Sequence, residues 1–270
     1  MSDPPRDLAS ALALRLEGIR LRIEETGGEL DRLEVRALLE GEGSARSAAE
    51  AVLVEQLAAL PSGPQVPVEG LGELVLRLLR LGTNRGAVAE QAARRVASAQ
   101  APDGGFGPPA AEPEALRLRR SAHLTGWLAS GPFGRPSVLR RASSFLLRAW
   151  SPARLAGTSV RDLAAWAHFF SHPADEEAVE QADAAVAWCG RELERSFRGG
   201  RIDPAGAARV LAVCDAVALP GGAVRAGDLL RMLAGTAPSP GGVAEALDEA
   251  WAIARLAELL HLPIRRAGAG

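Results

Sequence analysis

Residues 90–107 read EQAARRVASAQAPDGGFG. Small and charged residues run at helical spacing up to Gln100, and this predicts a helix over 85–100. Ala101-Pro102-Asp103-Gly104-Gly105-Phe106-Gly107 then forces a turn. Pro102 cannot sit inside a helix, and the two glycines reach positive φ without a Cβ clash. Phe106 is apolar, so whatever follows has to bury it.

Working outward, nearly every other segment also has helical spacing, and alternating strand patterns are absent. Upstream, Asp7–Glu25 places Leu12, Leu14, Leu16, Ile19 and Ile23 in one amphipathic run that ends at Gly27-Gly28. Glu29–Leu39 and Ala45–Leu60 follow as helices, the latter closed by Pro61-Ser62-Gly63-Pro64. From Glu69 onward the segments come in pairs, a shorter apolar helix followed by a longer charged one and a Gly/Pro turn. The pairs are 69–81 with 85–100, 116–130 with 136–150, 159–170 with 174–197, and 204–218 with 223–233. Val243–Leu260 opens a fifth pair and has no second member. The short helices end at Gly82, Gly131, Pro173, Pro220 and Pro263, at intervals of 49, 42, 47 and 43 residues. A unit of roughly 42–49 residues predicts an all-α helical repeat protein, either closed as a ring or open as a solenoid. Closure is favoured, because the last helix can pack on the first and hide both ends. The expected organisation is one domain over 1–270. Residues 1–65 would complete the ring, 66–263 carry the repeats, and 264–270 form a disordered tail.

A helix followed by Gln100 and Asp103-Gly104-Gly105-Phe106 resembles the repeat of the α/α toroids that handle isoprenoids, the protein prenyltransferase β-subunits and the squalene-type cyclases. The resemblance covers about eighteen residues. It implies an α/α toroid with the apolar helices inside. It also implies a repeat-packing role for Gln100, Asp103, Gly104, Gly105 and Phe106, and a hydrophobic, isoprenoid-like substrate for cyclisation or prenyl transfer. The catalytic signatures of the family do not carry over. The prenyltransferase zinc set needs an Asp and a Cys two residues apart with a distant His, and this chain has Cys214-Asp215, adjacent and reversed. The aspartate-rich DxDD of the cyclases is absent. A non-catalytic toroid binding a lipid-like ligand or a partner protein therefore stays open beside the enzyme, as does an open helical scaffold.

Candidate residues fall on the first helices of the pairs. Trp127, Trp166, Phe169 and Trp251 present aromatic faces that suit an isoprenoid chain and stabilise cations, or they are core packing. Arg119 and Arg120, near a helix N-terminus, suit a diphosphate, or they lie on a solvated face. His123, Asp162, Asp248 and Glu249 are the candidate acid–base groups. For His123 the alternative is a satisfied core histidine, and for Asp248 and Glu249 it is helix charge. No metal or cofactor is expected.

Composition bounds the rest. Net charge is −2 with both signs interspersed, so no nucleic-acid stripe is expected. All 31 basic residues are Arg and there is no Tyr, a bias that points to a GC-rich, bacterial coding sequence. Two cysteines, Cys189 and Cys214, exclude a disulfide framework. No stretch approaches the length of a membrane span, and the N-terminus lacks the features of a secretory signal, so the expectation is a cytoplasmic protein.

Overall fold

Thirteen helices and no strand form among the described residues of the computed structural model, which are 4–41, 43–61, 63, 68–109, 113–238 and 241–264. The all-α class holds. Residues 265–270 of the expected tail lie outside the described residues, as do Ser62 and Pro64 of the turn before the repeats.

The helices are α1 (Pro4–Thr26), α2 (Glu29–Glu40), α3 (Ser44–Ala59), α4 (Val68–Arg80), α5 (Ala87–Ser98), α6 (Glu114–Ser130), α7 (Pro136–Ala149), α8 (Pro152–Leu155), α9 (Val160–Ser171), α10 (Glu176–Arg198), α11 (Pro204–Val213), α12 (Ala226–Ala234) and α13 (Val243–Leu259). They gather into two units. Unit 1 joins Met1–Ala49 to Gly190–Gly270, and unit 2 is Glu50–Cys189.

In unit 2, α4 packs on α6 and α6 on α9, so the first members of successive pairs stand side by side. In unit 1, α11 packs on α13, and α13 packs in turn on α1 and α2. The final helix thus rests on the opening ones. Burial follows the composition. Leu163–Phe170 of α9 and Ala246–Ile253 of α13 are buried without a break, and these stretches take His168, Asp248 and Glu249 into the interior with the apolar residues. By contrast, α7 buries Leu139, Ala142, Ser143, Leu146 and Leu147 and turns its arginines outward.

Several expected details change. Only α10, with 23 residues against 12 in α9, is the longer member of its pair; α5, α7 and α12 are shorter than α4, α6 and α11. The shortening of α5, α11 and α12 has a local cause. Gly86 takes φ 93°, so α5 starts only at Ala87, and Gln100 leaves the helix for an antiparallel bridge with Phe106. α11 stops at Val213 because Asp215 adopts φ 51°, a left-handed conformation that ends the hydrogen-bond ladder. Residues 220–225 do not join α12. They run as a strap whose Gly222 lies backbone to backbone against Gly190, where a Cβ on either residue would enter a carbonyl oxygen. The expected turn after α7 contains the single-turn helix α8. Leu14 leaves the apolar face of α1: Leu12, Leu16, Ile19 and Ile23 are buried, whereas Leu14 is 76% exposed, two residues and some 200° from Leu12.

Candidate functional site

The Gln100–Gly107 turn is a dense hydrogen-bonded node of unit 2. Ala101 N–H donates to Gly105 O at 2.8 Å, and Gly107 N–H to Ala99 O at 3.1 Å. The Gln100 side-chain amide donates to Gly104 O at 3.0 Å and to Val138 O on α7 at 2.8 Å. Phe106 is fully buried, and its N–H donates to Ser121 Oγ on α6 at 3.0 Å. Arg117 grips Asp103 with two nitrogens, at 2.7 and 2.6 Å, donates to Gly107 O, and lies over the Phe145 ring. That guanidinium is the main cause holding the Asp103 carboxyl below its usual range, with the Gly105 N–H adding to it. Gly104 has φ 98°, and a Cβ there would collide with Arg141 O; one on Gly105 would strike Arg117 and Phe145. Gln100, Asp103, Gly104, Gly105 and Phe106 thus join one helix pair to the next. Arg117 and Ser121, which complete the node, were not distinguished in the sequence, since only the fold brings them to the turn.

The seam between α6 and α9 holds the titratable cluster. Gly126 is what lets the helices meet: its Cβ would lie 2.9 Å from His168 Cγ and 3.0 Å from Nδ1. Against it, His168 Nδ1 is 3.3 Å from His123 Nδ1, so one imidazole must donate and the other accept. His172 caps α9, with Nδ1 3.2 Å from His168 O. The three rings follow one another at 5.1 Å centroid spacing. His168 is 1% exposed, and its Nε2 finds no partner. Burial first, then the nearby His123 and His172, push its pKa well below the usual imidazole range. Among the described residues no group of three or more His, Cys, Asp or Glu could hold a metal ion.

The other candidates divide between the units. In unit 2, Asp162 sits in the first turn of α9, where its N–H donates to the cap Ser159 Oγ at 3.2 Å and its carboxylate accepts from the same hydroxyl at 2.6 Å. Arg119 stands 3.5 Å from Asp162, and Arg120 3.4 Å from Glu69, so neither guanidinium is uncommitted. Trp166 and Phe169 belong to a buried aromatic core with Phe170 and the partly buried Trp150. Trp150 approaches Phe170 edge-on at 4.6 Å and Trp188 at 5.5 Å. Trp127 is buried, and its indole N–H meets no acceptor.

In unit 1, Trp251 is buried on α13 beside Asp248 and Glu249. Arg15 of α1 binds Glu249 at 2.7 Å and donates to Leu233 O at 2.7 Å and to Thr236 O, so one buried guanidinium ties α1 to α13 and to the end of α12. Arg209 of α11 pairs with Asp248. Both carboxylates therefore serve as anchors between helices. No protein-family model, curated protein or solved structure matches the chain.

Proposed function

We propose that the chain is an α/α toroid of the prenyltransferase and terpenoid-cyclase type that binds a hydrophobic, isoprenoid-like molecule without transforming it. The observation that carries this reading is the Gln100–Phe106 node. A turn of this sequence, with its Gln reaching the next helix pair and its Phe buried beneath it, does what the repeat motif of that superfamily does. Within unit 2 the first helices α4, α6 and α9 stand side by side, and within unit 1 α11 packs on α13 and α13 on α1 and α2, which is the local packing a ring of helix pairs requires. Asp162, Asp248 and Glu249 are each paired with an arginine from another helix, which commits them to helix packing and favours binding over acid catalysis.

One observation favours a catalytic alternative. His168 is kept neutral by burial and is in contact with His123, so its imidazole is free of the extra proton that a general base has to accept. In that reading His123 and His168 share the proton taken from a bound substrate.

Native mass spectrometry of the purified chain with farnesol, farnesyl diphosphate and squalene tests the proposal. Retention of at least one, unchanged after incubation, is the expected result. Conversion with loss on His168→Gln would install the catalytic alternative, and retention of none would end both. Trp127→Ala, Trp166→Ala and Trp251→Ala sharpen it: if each lowers stability but leaves retention untouched, these rings are packing and the aromatic lining is wrong.

A further inference from the structure

The near-neutral charge of the whole chain hides a local asymmetry. Between Glu114 and Asp162 there is no Asp or Glu, while nine arginines fall in that interval. Of these, Arg117, Arg119 and Arg120 are ion-paired and Arg161 is engaged. The other five, Arg135, Arg140, Arg141, Arg148 and Arg154, are exposed and make no ion pair among the described residues. Arg141 and Arg148 donate to the carbonyls of Ala101 and Asp103, which orient them and leave their charge uncompensated.

Helical geometry places these groups together. On α7, Arg141 and Arg148 are seven residues apart and share a face, with Arg140 beside them. Ser137 and Ser144 fill the gaps, and neither is large enough to shield a guanidinium. Arg135 caps the helix at its start, and Arg154 lies on α8 just beyond its end. The ridge runs about 21 Å along α7. The partly exposed Phe133 stands before it, whereas Trp150 and Leu155 at its far end pack against the aromatic core.

We propose that this α7–α8 ridge docks on an anionic phospholipid surface. A helix face with cations along its length and one partly exposed ring, Phe133, at its start fits a headgroup plane, where the arginines meet phosphates. A single-stranded nucleic acid would want rings interleaved with the cations, in a groove. No helix among the described residues is long and apolar enough to cross a membrane, so the contact is peripheral. The inference stands on charge and does not depend on the ligand.

The test is co-sedimentation of the full chain with vesicles of phosphatidylcholine alone or mixed with phosphatidylglycerol, at low and high salt, with a polynucleotide as competitor. Binding to the mixed vesicles is expected to be about tenfold stronger or more, and to disappear in high salt. The triple variant R135E/R140E/R154E replaces three side chains that make no hydrogen bond or ion pair among the described residues and should abolish that preference, while R135K/R140K/R154K should keep it. Circular dichroism monitors folding, and R135Q/R140Q/R154Q carries the test if the glutamates lower helicity. Equal binding to both vesicles, a charge-reversed variant that binds like the wild type, or displacement to the polynucleotide would each overturn the proposal.

Discussion

In unit 1 the last helix is pinned to the first by charge. Arg15 is buried against Glu249 and two carbonyls, and Arg209 meets Asp248, the preceding residue of α13. In unit 2 the buried middle of the α6–α9 seam is neutral, a glycine under an imidazole with small residues around it. The difference tracks the distance along the chain. Helices α6 and α9 are near in sequence, and complementary shape suffices to join them. Arg15 and Glu249 are 234 residues apart, and a buried ion pair there tolerates few alternative registers. We read the unit 1 pairs as devices that select the right long-range pairing and the unit 2 seam as a device for close approach.

The comparison breaks first at Glu249. Glu249→Ala leaves Arg15 buried and uncompensated and should lower stability by about 3–5 kcal/mol in urea denaturation, whereas Arg15→Met with Glu249→Leu should recover most of it. If the single variant is nearly neutral, the pair is not an anchor. Phe106→Ala removes the apolar plug of the unit 2 node and should lower stability by about 3–5 kcal/mol on the same assay.

Gly126→Ala sharpens the other side. A methyl group 2.9 Å from the His168 ring overpacks the seam by about 1–3 kcal/mol, offset in part by roughly 1 kcal/mol of helix propensity. His168→Ala in the same chain should relieve the clash, and a double-mutant cycle measures the coupling.

The pH response comes next. Burial holds the folded-state pKa of His168 below its unfolded value, so the unfolded chain binds the extra proton. The stability contributed is complete above the unfolded value, about pH 6.5, and is lost as pH falls toward the folded one. The slope of this contribution cannot exceed about 1.4 kcal/mol per pH unit, and His168→Gln should flatten that part of the profile. The smallest effect is expected at the partly exposed Arg119–Asp162 pair, where Arg119→Ala should change stability by less than about 1 kcal/mol.

Part of this was legible in the residues. The Pro102-Asp103-Gly104-Gly105 turn, the apolar runs of α4 and α9 and the glycine stops follow from backbone sterics and helical period, which act locally. The lengths of α5 and α11 were not legible, because φ 93° at Gly86 and φ 51° at Asp215 are set by how the chain continues. Nor was the environment of the candidates. Asp248, Glu249 and Asp162 look like uncommitted acids in one dimension, and their arginines come from other helices. His168 gave no sign of its desolvation, because burial belongs to the packed seam.

By itself, then, the amino-acid order determined an all-helical chain of paired segments, the Pro/Gly stops between many of them, and most of the faces that leave water, since propensity and hydrophobic period are properties of short stretches. Only the tertiary structure decided that α13 rests on α1, that His123 meets His168, and that each candidate acid already has a cation. These are encounters between residues tens to hundreds of positions apart, and no local rule of chain geometry encodes them.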